Sequence, residues 1–225
     1  MSAHQLFDTK GASVTFLAVF LTVFTAQTSL AFTPDQIVEQ AVAQNIADTK
    51  RFRETYDFDT IKCVTKDGKV VKNEEGASDR LTIEELFRKN RYIYEIDETV
   101  LIDGLKVIAI RFSPRPNKQP NAPKGANTRG KVKNDILNHL RGVIYIEQEG
   151  LGIVRVVIRA NKSSESIYVV GRLYKMDAIL EQCQLGDIWV PEAISVESEF
   201  SYFLGLTRRA ESTTILFQNF RLKAP

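Results

Sequence analysis

The chain has 225 residues, 44% of them apolar and 26% charged, with 30 basic side chains against 28 acidic ones and a net charge of +2. This composition excludes a disordered or collagen-like chain. It also leaves no global field to draw the molecule towards nucleic acid or an acidic substrate, so any basic patch must be local.

Residues 1–31 read as a signal peptide: Lys10 precedes the apolar run Val14 to Phe24, and Ser29 and Ala31 occupy the small-residue positions of a cleavage site. The run is short for a membrane span, and no Cys follows the site to carry a lipid anchor. The expectation is a mature domain of residues 32–225, exported and periplasmic. An uncleaved inner-membrane anchor is the alternative.

Thr33-Pro34-Asp35-Gln36 opens a helix: Thr33 caps, Pro34 suits the first turn and Gln36 completes a capping box. Val38, Val42, Ile46 and Thr49 then recur at helical spacing and need an apolar surface to lie on. From Tyr56 the texture becomes β-branched and aromatic, broken by turn signals at Asp67-Gly68, Asp103-Gly104 and Gly186-Asp187. A second short helix is predicted from Thr82 to about Asn90. Strands follow near 92–97, 99–103, 105–113, 141–147, 151–160, 167–174, 178–185, 188–202 and 205–220, in antiparallel meander order. Between them, residues 113–134 hold four prolines and six Lys or Arg and read as one long surface loop.

Few residues in this pattern carry chemistry. His139 is the one histidine after the signal, and neither Cys63 nor Cys183 lies in a CxxC pair, so no zinc site assembles from local motifs. Export would permit a disulfide between the cysteines; two separate buried thiols are the simpler expectation. Nucleophile elbows, phosphate loops and HExxH are absent, and Gly150-Leu151-Gly152 is read as a hairpin turn. Glu197 and Glu199 share one side of a strand, as a glycosidase pair might, but Ile194, Val196 and Phe200 take the other face and leave them as solvated outward positions. No catalytic residue, cofactor or metal is expected. The basic loop offers Lys124, Arg129, Lys131 and Lys133 to an anionic surface, each worth about 1 kcal/mol beside it. No aromatics interleave with them, which argues against single-stranded nucleic acid.

What remains is apolar surface. Ile144, Ile146, Val154, Val156, Ile158, Ile188, Val190, Ile194, Val196, Phe200, Ile215 and Phe217 can be placed on one face of successive strands, with Val38, Val42 and Ile46 of the first helix facing them. Two readings stay open: a plain core, or a curled sheet whose incompletely filled face holds an apolar ligand.

The segments FSPRP, ILNHLRGVIYIEQEGLGIVRV, LEQCQLGDIWVPEAISVESEF and RRAESTTILFQNFRL resemble the outer-membrane lipoprotein-sorting, or LolA-like, family, especially its divergent exported members. The resemblance covers roughly residues 105–222, and the first helix and strand loosely. It implies a mainly β (α+β) fold, an incomplete antiparallel β-barrel with one or two helices covering the concave face. The implied function is a periplasmic carrier or binder of acylated molecules in lipoprotein sorting, or a non-catalytic envelope sensor or docking module. The implied partners are acyl chains of lipoproteins or lipids, membrane-anchored envelope proteins and, transiently, the membrane; no nucleic acid is implied, and a monomer is expected. Members of the family hold their closed state with an arginine near the cavity, and Arg51 and Arg53 are the candidates here.

Overall fold

Both predicted helix starts are built as capping boxes. In the computed structural model, which describes residues 32–73, 82–116, 120–122, 124–161, 166–167, 171–202 and 207–224, the Thr33 hydroxyl accepts from the Gln36 N–H at 3.3 Å while Gln36 returns a bond to the Thr33 N–H at 2.9 Å. Helix α1 then runs from Pro34 to Thr55. Thr82 and Glu85 repeat the device at α2, Ile83–Leu86, which stops short of the expected Asn90 because the backbone leaves the helical region at Phe87, with φ −95° and ψ 34°. The predicted signal segment lies outside the described residues.

A third helix, α3 (Thr128–Leu137), falls inside the stretch expected to be loop. Asn127 caps it through the Gly130 N–H at 2.9 Å, and its C-terminal end buries Leu137. The charges that suggested a solvated loop occupy only part of its surface.

The strands are β1 (Tyr56–Lys66), β2 (Lys69–Asn73), β3 (Tyr92–Ile102), β4 (Leu105–Pro114), β5 (Arg141–Glu147), β6 (Ile153–Asn161), β7 (Ser166–Ile167), β8 (Gly171–Leu185), β9 (Ile188–Tyr202) and β10 (Thr207–Leu222). Asp67-Gly68 and Asp103-Gly104 take positive φ at both positions, as a type I′ hairpin turn requires, and Gly186 supplies positive φ before Asp187. Where a break was expected near residue 98, β3 continues through a bulge at Asp97, and β8 absorbs most of two predicted strands.

All pairings are antiparallel, in the order β2-β1-β10-β9-β8-β6-β5-β4-β3, with β7 beside the start of β8. The two ends of the order, β2 and β3, do not pair. The sheet is therefore open, mostly antiparallel and accompanied by few helices, and not a closed barrel. Bulges in five of the strand pairs add local bend and twist. Residues Phe32–Pro225 make one compact unit.

One face carries the main core. Val38 and Ala41 of α1, Ile83, Leu86 and Phe87 around α2, and Leu137 and Leu140 around α3 pack with Tyr92, Ile110, Phe112, Ile144, Ile146, Val156 and Ile158 of the sheet. Val107, Val154 and Trp189 form a smaller cluster with Tyr145 and Val100. Val154 was expected on the main face. The bulge that pairs Ile146 with Ile153 makes Val154 the extra residue and turns it into this other cluster.

Candidate ligand-binding face

The buried stripe of α1 is not the predicted one. Val38, Ala41, Asn45, Asp48 and Phe52 face the protein, Val42 is half-buried, and Ile46 is 42% exposed. Two polar residues displace the apolar ones because each satisfies a buried partner. Asp48 accepts from the Trp189 backbone N–H at 3.0 Å and from Gln44 Nε2 at 2.9 Å, while Asn45 Nδ2 donates to Gln182 Oε1 at 3.1 Å. Both bonds hold α1 at the β8–β9 turn, and Arg51 adds an exposed ion pair with Asp187 at 2.7 Å. Beside them Phe52 closes a ring cluster with Phe58 (4.8 Å between centroids), Phe220 (5.6 Å) and Tyr56 (5.9 Å), resting on Ile188 and Val190.

These anchors leave α1 over one end of β8 and β9. Towards the other end, the register aligns side chains on the helix-bearing face in rows across β1, β10, β9 and β8. Lys62, Ile215, Ile194 and Leu180 form one row; Val64, Thr213, Val196 and Ala178 form the next. Most of these are only half-buried. The following row, Lys66, Glu211, Ser198 and Met176, turns polar, with Lys66 Nζ 3.9 Å from Glu211 Oε2. An apolar floor thus ends on a charged rim.

Of the residues expected to line a cavity, Val38, Ile144, Ile146, Val156 and Ile158 are wholly buried in the main core, against which Val42, Ile194 and Val196 pack partly buried. Ile188 and Val190 belong with Phe52. Ile215 and Phe217 are buried on β10, Phe217 with its ring 5.9 Å from Phe58, and Phe200 is half-buried further along β9.

The basic segment is also less free than its sequence suggests. Lys133 Nζ lies 2.8 Å from Glu85, and Arg115 bonds Asp35 at 3.3 Å and the Tyr92 carbonyl at 3.1 Å. Lys124 and Lys131 are exposed; the side chain of Arg129 lies outside the described residues. Partial burial of Glu85 works against its ionisation, but the Lys133 ammonium and the Thr82 N–H outweigh it and hold the carboxyl below its ordinary value. The folded pKa being lower than the unfolded one, this contribution to stability is fully present above the ordinary value of 4.5 and is lost as pH falls through the folded value. The stability difference between wild type and Glu85→Gln should therefore be constant from neutrality to about pH 5.5 and shrink towards zero in acid, read by thermal melts at each pH. A difference that persists unchanged at pH 2 would assign the effect to packing.

One residue that sequence reasoning missed dominates this corner. Arg91, 2% exposed, donates from Nη1 to Asn138 Oδ1 (2.6 Å) and the Asn134 carbonyl (3.2 Å) and from Nη2 to Asn134 Oδ1 (3.1 Å). Both amides then donate to the Pro120 carbonyl, and Tyr92 Oη donates to the Leu137 carbonyl at 2.5 Å. Burial lowers the guanidinium pKa, and among the described residues no carboxylate bonds it and its Nε finds no partner. The Asn pair four apart on α3 was the available signal. Arg51 and Arg53, by contrast, are exposed.

Elsewhere the chemistry-bearing residues are dispersed. Glu197 pairs with Lys175 at 3.5 Å and Glu199 with Arg208. Cys63 and Cys183 are both free, with β10 and β9 between their strands, and burial pushes the Cys183 thiol up. His139 Nδ1 lies 2.8 Å from the Asp135 carbonyl. Among the described residues there is no group of three or more His, Cys, Asp or Glu placed to hold a metal, and no helix long and apolar enough to cross a membrane.

No family model matches the sequence, and no curated protein matches it. Two solved structures are similar. A DUF1329 family protein from Desulfovibrio piger ATCC 29098 has a TM-score of 0.38 at 10% identity, over 86% of this chain and 95% of its own. A LolA superfamily protein from Nitrosomonas europaea has a TM-score of 0.40 at 8% identity, over 87% of this chain and 96% of its own. Both likenesses concern the course of the chain alone.

Proposed function

We propose that this is an exported, non-catalytic carrier that holds the acyl chains of lipoproteins or lipids on its helix-bearing face during passage across the periplasm. The observation that supports this most is the apolar floor of Val64, Ile194 and Val196, half-buried beside the buried Ala178 and bounded by the Lys66–Glu211 rim. Chain methylenes would lie on the floor and a polar head at the rim. Each CH₂ removed from water contributes about 0.8 kcal/mol, so a sixteen-carbon chain wholly buried would gain on the order of 12 kcal/mol. Partial burial on such a floor keeps release feasible. Deeper entry would require α3 to move, and Arg91 rather than Arg51 or Arg53 is the arginine whose bonds oppose that.

A second reading, a docking or sensor module, is favoured by one observation: Ile144, Ile146, Val156 and Ile158 already fill the centre of the face. Native mass spectrometry after mild extraction, with fluorescent fatty-acid uptake, separates the two. The carrier reading expects a co-purifying acylated species and at least tenfold weaker uptake by Val196→Lys, with the fold retained because Val196 is only half-buried. No acyl species and no uptake, with one stoichiometric envelope protein on pull-down, would leave the docking module.

A further inference from the structure

We propose that the two free edges of the sheet recognise each other between copies of this chain, β2 of one molecule adding antiparallel to β3 of the next. Among the described residues each edge strand pairs on one side only, β2 with β1 and β3 with β4. Alternate backbone N–H and C=O groups therefore point outward and can template another strand. On β3, Ile93, Glu95 to Thr99 and Leu101 are exposed, Ile96 to 51%. On β2, Lys69 is exposed, with Val70 at 69% and Val71 at 54%.

The charges choose among the pairings. The β3 segment Glu95-Ile96-Asp97-Glu98 is acidic, and the β2 segment Lys69-Val70-Val71-Lys72 is basic. β3 against β3 would oppose carboxylates and β2 against β2 would oppose ammonium groups, which leaves the mixed pairing. Arg111 is already occupied by Asp97, at 2.5 Å. The bulge at Asp97 puts Glu95 (opposite Arg111) and Glu98 (opposite Ala109) on the same face, the one turned away from the helices. Lys69, opposite Lys66, lies on the helix-bearing face.

Because eight successive antiparallel steps separate β2 from β3 in the order, the two strands run the same way within one molecule. An antiparallel approach of a second copy therefore turns its helix-bearing face to the opposite side. That brings Lys69 onto the same face as Glu95 and Glu98. With Lys69 at the position opposite Glu98, Val70 and Val71 fall opposite Asp97 and Ile96, and Lys72 takes the register position opposite Glu95. A parallel approach would set Lys69 among Ile96 and Tyr94 instead. The contact is heterologous: it leaves one edge free at each end and so propagates head to tail.

The test is sedimentation velocity of the purified protein at low salt, from about 10 μM to about 1 mM, where so small an interface would bind. Wild type is expected to associate with rising concentration and to dissociate in high salt. Glu95→Lys/Glu98→Lys and Lys69→Glu/Lys72→Glu should each weaken association at least tenfold. An equimolar mixture of the two variants should regain it, since each then offers the edge the other lacks. Circular dichroism and melting of both variants establish that they fold. A wild type monomeric throughout, association indifferent to the reversals, or a mixture that does not regain it would each overturn the proposal.

Discussion

Phe52→Ala is expected to lower stability by about 4 kcal/mol, the usual cost of removing a fully buried ring from a packed site. The ring is 1% exposed and touches both the α1 end and three aromatic side chains of β1 and β10, so the cavity it leaves cannot collapse without moving the helix. For a domain of this size that corresponds to a fall in melting temperature of about 10 °C. Hydrogen exchange should show α1 losing protection from its C-terminal end first. The matching control is Ile46→Ala, which should change stability by less than about 0.5 kcal/mol, because Ile46 faces solvent. Equal costs at the two positions would mean that the buried stripe of α1 has been assigned to the wrong side.

Arg91→Met should cost about 3 kcal/mol, and the sign needs an argument. The guanidinium is buried, and among the described residues no carboxylate is bonded to it, so its removal relieves a desolvation penalty. Against that, the side-chain oxygens of Asn134 and Asn138 lose the guanidinium donor, while the Asn134 carbonyl keeps the Asn138 N–H, and a buried polar group that loses its partner costs roughly 1–3 kcal/mol. The second effect is larger. The decisive measurement is the triple variant Arg91→Met/Asn134→Leu/Asn138→Leu, in which the guanidinium and both amides that receive it become apolar and the half-buried Pro120 carbonyl is left to water. It should recover most of the loss, through a coupling a double-mutant cycle can measure by urea denaturation. If Arg91→Met alone is neutral, the network contributes nothing to holding α3.

How far the sequence could be read depended on how local each cause was. Thr33-Gln36 and Thr82-Glu85 are capping boxes closed within four residues, and Asp67-Gly68 and Asp103-Gly104 are turns whose φ values demand those residue types; all four were legible. The apolar alternation of β5 and β9 was legible for the same reason. Helix α3 was not, because its apolar positions are sparse and its lysines resemble those of a solvated loop. Val154 was put on the wrong face because a bulge shifts parity by one residue and leaves no mark in the alternation. The α1 stripe was misread because Asn45 and Asp48 are buried by partners 137 and 141 residues away, a fact no periodicity can carry. Arg91 was invisible for the same reason: an arginine in isolation reads as surface, and only its three bonds to α3 make it interior.

The pairing of β1 with β10 has a consequence for the order in which the molecule can assemble. Tyr56 meets Leu222 and Lys66 meets Glu211, so one of the earliest strands to leave the ribosome completes its ladder only with one of the latest. Until β10 is made, β1 has β2 alone beside it, and the ring of Phe52 lacks Phe220. Contacts so distant along the chain close slowly, because the loop entropy is lost before the contact is gained. Until the C-terminal strand is made, β1 and the end of α1 stay without their closing partners, whatever the propensity of the hairpins between.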